Sequence, residues 1–186
     1  MTALVKVEGK GAAQAVTQEP QQYLTFMLGG EVFAIGILHI KEIIEYGQLT
    51  TVPMMPTFIR GVINLRGSVV PVIDLSVRFG RAPVEVTRRT CIVIIEINDG
   101  DEHQDIGVVV DSVSEVLEIP ASQVEPAPAF GAKIRTDFIQ GMGKVNERFV
   151  IILNVLNVLS VEEMSQLTMA AQLSEQTTAG VEATGA

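Results

Sequence analysis

The sequence contains no tryptophan, and its 186 residues include only one cysteine and two histidines. The single cysteine, Cys91, excludes an internal disulfide framework, and because it opens an apolar run we interpret it as a small buried core residue. Neither histidine, His39 or His103, lies close to it in sequence. Nucleophilic catalysis needs a serine or cysteine beside a base, and no His/Cys cluster has the spacing of a metal site. These residues therefore give no support to an enzymatic function. A catalytic pair of carboxylates that the fold brings together remains an alternative.

Basic residues are also scarce, since 13 Lys and Arg stand against 22 Asp and Glu and leave a net charge of −9. This balance argues against binding to nucleic acid or to an anionic membrane surface. Residues 98–105 carry part of the negative charge and are interpreted as a solvated hairpin turn, because their carboxylate spacing does not fit a calcium loop. The N-terminus lacks the apolar segment of a signal peptide, and no apolar run is long enough to span a bilayer. We therefore expect a soluble, cytoplasmic protein without direct membrane insertion.

What the chain does contain is the same pattern twice. Two copies predict two small modules, which bury enough apolar surface only by packing on each other. Branched aliphatic residues in short runs between tight turns favour strands. The predicted fold class is therefore all-β, with two small barrels in a pseudo-repeat and a short C-terminal helix. The matching segments are 33–44 with 106–117, 57–61 with 137–141, and 69–75 with 149–155.

Turn and composition signals divide the chain into segments. The C-terminal helix is predicted from a capping box that begins at Ser160, followed by an apolar stripe. Residues 80–89 form a polar linker between the two copies. The predicted segments are a flexible tail over 1–20, a first barrel half over 21–80, a second barrel half over 90–160, the helix over 160–173 and a disordered tail over 174–186.

The two barrels are expected to exchange strands. The long strands 68–75 and 149–155 each follow a turn that can carry the chain across to the other barrel. The hypothesis places residues up to about Arg66 in one barrel with the last strand, and the middle of the chain in the other barrel.

The segment from Leu38 to Glu45 combines helical spacing of its isoleucines with β-branched content. We expect a short turn of helix that runs into a strand. On a helical turn, Ile40 and Ile43 share a face and form a small apolar patch, with Lys41 and Glu42 at its rim.

Two charges, Glu42 and Arg66, interrupt apolar segments. A charge held near an apolar surface is costly unless it is paired, so these two residues are candidates to pair with each other. Two ordinary surface charges at turns remain the alternative.

These segments resemble the CheW family, the coupling proteins of bacterial chemotaxis arrays. The most specific element is residues 58–75, with a Phe-Ile-basic-Gly turn, an Asn-Leu-Arg-Gly turn and a Val-Pro-Val-Ile-Asp-Leu strand. The resemblance covers roughly residues 21–167. Supporting elements lie at 37–43, 108–116 and 126–130.

The resemblance implies two five-stranded SH3-like barrels packed around a shared apolar layer, with no catalysis and no cofactor. It also implies an adaptor between the signalling domain of methyl-accepting chemoreceptors and the histidine kinase CheA, recruited to receptor arrays through these partners. A groove between the barrels that includes Ile40 and Ile43 is expected to take the receptor helix. The positions that match the family's partner-binding residues are Ile40, Glu42, Ile43, Gly61, Arg66 and Gly67.

Other functions stay open. A free-standing regulatory domain of a chemotaxis kinase would share the same fold, but the sequence has no ATP-binding, dimerisation or phosphotransfer segment. A small-barrel nucleic-acid binder is opposed by the acidic balance and the scarcity of aromatic residues.

Overall fold

The computed structural model describes residues 20–127 and 134–160. Apart from their border residues Pro20 and Ser160, the predicted tails and the C-terminal helix lie outside this part of the chain. The strands are β1 (Gln21–Leu28), β2 (Glu31–Gly36), β3 (Ile40–Glu45), β4 (Ile59–Leu65), β5 (Ser68–Asp74), β6 (Cys91–Asp99), β7 (Glu102–Val110), β8 (Ser112–Ile119), β9 (Val124–Glu125), β10 (Ile139–Val145) and β11 (Arg148–Leu153). Two short α-helices, α1 (Leu75–Arg78) and α2 (Val155–Val158), accompany 3-10 turns at Ile37–His39, Ala121–Gln123 and Thr136–Phe138.

The strands form two sheets, and the all-β prediction is confirmed. One sheet has the order β8-β1-β2-β11-β10-β9, and the other has the order β3-β6-β7-β5-β4. This architecture is consistent with two SH3-like barrels. The first sheet has six strands rather than the expected five, because the two-residue strand β9 adds to the edge of β10.

The predicted exchange of strands takes place. Strand β5 of the first copy pairs in parallel with β7 of the second copy, and β11 pairs in parallel with β2. The predicted partition is wrong, however, because β3 and β4 also join the five-stranded sheet. The 3-10 turn at Ile37–His39 follows β2 directly and leads the chain into the other sheet, so only the first hairpin stays with the last strands.

The core is shared between the two sheets. Phe33 from the six-stranded sheet stacks on Phe79, and Phe79 packs in turn against Phe138, with ring centroids 5.6 and 6.0 Å apart. The interior strand β6, between β3 and β7, is buried on both of its faces over Ile92–Ile95, which explains its uninterrupted apolar sequence. Cys91 packs against this core but is half-buried rather than fully buried as expected.

The acidic segment 98–105 forms the predicted hairpin, since β6 ends at Asp99 and β7 begins at Glu102. The ambiguous segment after β2 also follows the prediction, with one 3-10 turn running into strand β3. Within residues 20–127 and 134–160, no helix is long and apolar enough to cross a membrane.

Candidate functional site

The predicted pair between Glu42 and Arg66 forms. Arg66 Nη2 lies 2.8 Å from Glu42 Oε2 and joins strand β3 to the β4–β5 hairpin. Because β3 and β4 are the outer strands of the five-stranded sheet, this contact links its two edges. The Arg66 side chain is 75% exposed, so the ion pair contributes at most about 1 kcal/mol to stability. Its main effect is to fix where the guanidinium lies.

The hairpin turn itself depends on backbone conformation. Arg66 and Gly67 have φ angles of 53° and 86°, as the two central residues of a type I′ turn require. The Gly67 amide also donates a hydrogen bond to Asn64 Oδ1 at 2.9 Å. The turn therefore presents Arg66 at a defined position above β3. We call Glu42, Ile43, Arg66 and Gly67 the hairpin surface.

Gly61 lies where the chain beyond β3 crosses strand β4. Thr50 and Val62 exchange two backbone hydrogen bonds of 2.9 Å, which closes the edge of the sheet. A Cβ atom at Gly61 would lie 2.5 Å from the Thr50 carbonyl oxygen, closer than real contacts allow. Gly61 thus permits the close approach of two backbones, and its role in the site is to shape the barrel edge.

Replacing Gly61 with alanine is expected to destabilise the protein by about 1–3 kcal/mol, because one of two hydrogen-bonded backbones must move. Urea unfolding followed by circular dichroism measures the effect. Gly47→Ala is the matched control, since nothing lies within 4 Å of a Cβ at that position. Equal stability of the two variants would contradict this explanation.

The helical explanation for the patch of Ile40 and Ile43 is wrong, because both residues lie in strand β3. Residues three apart on a regular strand point to opposite faces. A bulge between Ile40 and Glu42 absorbs one residue, so that Ile40 pairs with Ile95 and Ile43 pairs with Val93. Burial still alternates along β3, so that Ile40 and Ile44 pack against the core and Ile43 is exposed.

The two isoleucines differ in exposure and in surroundings. Ile40 is half-buried against the core, whereas Ile43 is 42% exposed. The neighbouring Lys41 Nζ binds the Asp105 carboxylate at 2.7 Å, and this hydrogen bond raises the pKa of the lysine. Both expected rim charges, Lys41 and Glu42, are therefore held by partners within the chain.

A cleft opens beside the 3-10 turn that precedes β3. One wall comes from strands β1, β8 and β10 of the six-stranded sheet, and the other comes from the turn itself. Leu38 in this turn is 96% exposed. The described lining stops at His39, immediately before Ile40, and does not include Ile43. The residues that line it are Pro20, Gln21, Gln22, Tyr23, Gly36, Ile37, Leu38, His39, Glu118 and Gln140.

The cleft offers amide, phenol and carboxylate groups around an exposed leucine. Tyr23 is 4% exposed, and burial raises the pKa of its phenol, which donates a hydrogen bond of 2.9 Å to Gln21 Oε1. Gln22 Nε2 lies 3.4 Å from Glu118 Oε1. Such groups suit a polypeptide that brings both apolar and polar side chains. The receptor groove expected from the sequence did not include Leu38. The sequence signal that could have found this residue was an apolar side chain placed in a turn.

A buried ionic network lies at the open end of the β4–β5 hairpin, where β4 begins and β5 ends. Asp74 is fully buried; its Oδ2 lies 3.1 Å from Arg60 Nε and accepts a hydrogen bond from the Val84 amide. Its Oδ1 accepts from the amides of Ser76 and Val77 and thereby caps helix α1. The Arg60 guanidinium also donates to the Val84 carbonyl at 2.5 Å. The network ties β4, α1 and the linker together at the end of the β4–β5 ladder that is remote from the Arg66–Gly67 turn.

Similarity to known proteins agrees with this architecture. A family model described as a CheW-like domain matches residues 22–163. The chain is 38% identical over 152 residues to a chemotaxis protein CheW of Klebsiella aerogenes, covering 82% of this chain and 89% of that protein. It is 35% identical to a chemotaxis protein CheW of Bacillus subtilis, covering 82% of this chain and 94% of that protein.

A solved structure is similar as well. The scaffolding protein TtCheW of Thermoanaerobacter tengcongensis superposes with a TM-score of 0.67 and 34% identity, over 74% of this chain and 86% of that one. These matches show that the chain belongs to the CheW-like domain family.

Proposed function

We propose that this member of the CheW-like family is a non-catalytic adaptor that couples chemoreceptor signalling domains to the histidine kinase CheA. The observation that carries the proposal is Leu38, which is 96% exposed at the edge of a cleft. What distinguishes Leu38 from other exposed apolar residues is its place beside a concave surface, where a bound partner can bury it. Through such partners the protein would be recruited to membrane receptor arrays from the cytoplasm.

The cleft is proposed as the receptor site. A receptor tip is helical in this proposal, and an amphipathic helix binds by placing apolar side chains in a groove. Leu38 supplies the apolar contact, while Gln21, Gln22 and Gln140 supply hydrogen bonds at the rim. Ile40 begins the strand directly beyond the cleft and supports the turn that carries Leu38.

The hairpin surface is proposed as a second contact, for the receptor or for CheA. Ile43 provides exposed apolar area, and the Glu42 pair holds Arg66 beside it. The second carboxylate oxygen of Glu42, Oε1, is buried and accepts no hydrogen bond within the described residues. The contact proposed here therefore rests on Ile43 and Arg66, whose side chains are exposed.

A regulatory domain of a chemotaxis kinase is the second candidate, because it would share this fold. The two relatives described above match over 89% and 94% of their length and are each named chemotaxis protein CheW, which favours the adaptor. An adaptor must bind receptor and kinase at the same time. Co-precipitation of all three proteins tests this requirement, and binding of only one partner in repeated assays would overturn the proposal.

Ile43→Asp is expected to weaken partner binding by about 1–2 kcal/mol, because a half-exposed apolar contact is replaced by a charge that must be desolvated. Arg66→Ala is expected to have a smaller effect, since the arginine acts at the rim. Isothermal titration with a receptor signalling domain and with CheA measures both, with circular dichroism as the folding control.

Val86→Asp serves as the matched control, because Val86 is 53% exposed in the linker and lies outside the cleft and the hairpin surface. If Ile43→Asp and Arg66→Ala both fold and bind both partners like the parent, the assignment of the hairpin surface is wrong.

A further inference from the structure

We infer that Glu118 selects a partner helix that carries a lysine or arginine beside its apolar anchor. The inference rests on the proposed function, because it concerns the same cleft. It adds to that function the sign of the charge that the partner helix must carry and the residue that binds this charge.

Glu118 lies near the end of strand β8 and lines the cleft, and its side chain is exposed to solvent. It pairs across the strands with Gln22, whose Nε2 atom lies 3.4 Å from the Glu118 carboxylate. The carboxylate accepts this long hydrogen bond from a neutral amide, which does not compensate the negative charge of Glu118. Within the part of the chain that the structure describes, no cation pairs with Glu118. The carboxylate therefore presents its charge to whatever enters the cleft.

The charge stands out against the rest of the lining. The other residues described there are amides, apolar side chains, glycine, proline, His39 and the buried phenol of Tyr23. The phenol is neutral at physiological pH, since its ordinary pKa of 10.0 already lies well above that pH and burial raises the pKa further. Among the described lining residues, the Glu118 carboxylate is therefore the one acidic side chain that a bound helix meets. A cation on the helix would be attracted, and an anion there would be repelled.

Other carboxylates near the candidate surfaces are differently placed. Glu42 is paired with Arg66, and Asp105 is paired with Lys41. Glu115 lies on the same strand as Glu118 and is also exposed, but it does not line the cleft. Glu115 therefore provides a matched control that changes the same net charge on the same strand.

The experiment compares the full chain with three variants: Glu118→Gln, Glu118→Lys and Glu115→Gln. The probe is a purified receptor signalling-domain fragment, titrated at about 0.05 M and about 0.5 M salt, because screening separates charge attraction from apolar contact. Glu118→Gln is expected to weaken binding by about threefold to tenfold at low salt and by little at high salt. Glu118→Lys is expected to weaken it further, while Glu115→Gln binds like the parent. CheA binding stays unchanged in all three.

A second arm tests the cleft independently of its charge, through Leu38→Asp. If Glu118→Gln and Glu118→Lys bind like the parent while Leu38→Asp loses binding, the cleft is the receptor site and the role of Glu118 is wrong. Tighter binding by Glu118→Lys would also overturn the inference, because the partner would then present an anion. If none of these variants changes binding, it is the receptor site of the proposed function that fails.

Discussion

Replacing Asp74 with alanine is expected to destabilise the protein by about 3–5 kcal/mol, the cost of breaking a buried ion pair by removing one partner. The carboxylate is fully buried and accepts hydrogen bonds from three backbone amides, those of Ser76, Val77 and Val84. Without it, the Arg60 guanidinium loses its charged partner in a site where its side chain is only 19% exposed. Urea unfolding of parent and variant measures the loss.

The second copy provides the matched control for this prediction. Asn154 stands at the position equivalent to Asp74, and its Oδ1 accepts one hydrogen bond, from the Asn157 amide at 3.3 Å. Asn154→Ala should therefore cost about 1 kcal/mol, the usual contribution of a helix N-cap. A cost for Asp74→Ala no larger than that of Asn154→Ala would show that the buried pair with Arg60 adds nothing.

The contrast between Asp74 and Asn154 also shows what the repeat in the sequence predicts. Both residues cap a short helix, and both donate their own amide to a phenylalanine carbonyl, Phe58 in one copy and Phe138 in the other, at 2.7 Å. The local fold is therefore shared by the two copies and follows from their aligned sequences. The charge network is present in one copy alone and depends on Arg60, for which the second copy has Gln140.

The exchange of strands could be expected from the sequence, but its partition could not. A turn before each long strand indicates that the chain can cross between modules. Which strands then become neighbours depends on the parallel pairings of β5 with β7 and of β11 with β2. These pairings join residues far apart in sequence. The periodicity of apolar residues within a short stretch of sequence therefore cannot predict them.

The candidate site shows the same division between local and long-range information. Pairing of Glu42 with Arg66 was predictable, because two opposite charges in apolar segments each need a partner. The bulge in β3 was not predictable, because it depends on the register with β6, a strand far away in sequence. The cleft at Leu38 escaped prediction because its walls come from four separate stretches of the chain.

Replacing Leu38 with aspartate is expected to weaken receptor binding by about 2–4 kcal/mol, the range of interface hot spots, while leaving the fold intact. The side chain is 96% exposed, so the free protein loses no core contact when it changes. Burying a leucine fully against a partner contributes about 1.5–3 kcal/mol, and an aspartate at the same place must also be desolvated. Ile43 has less exposed area to bury, which is why its effect is expected to be smaller.

Isothermal titration of a receptor signalling-domain fragment onto the parent and the Leu38→Asp variant measures the loss, and urea unfolding of both checks that stability changes by less than about 0.5 kcal/mol. Leu156→Asp is the matched control, since Leu156 is 54% exposed on helix α2 and lies outside the described cleft lining. The two variants add the same charge to the same residue type, so only position distinguishes them. A Leu38→Asp variant that folds and binds the receptor as tightly as Leu156→Asp would remove the cleft as the receptor site.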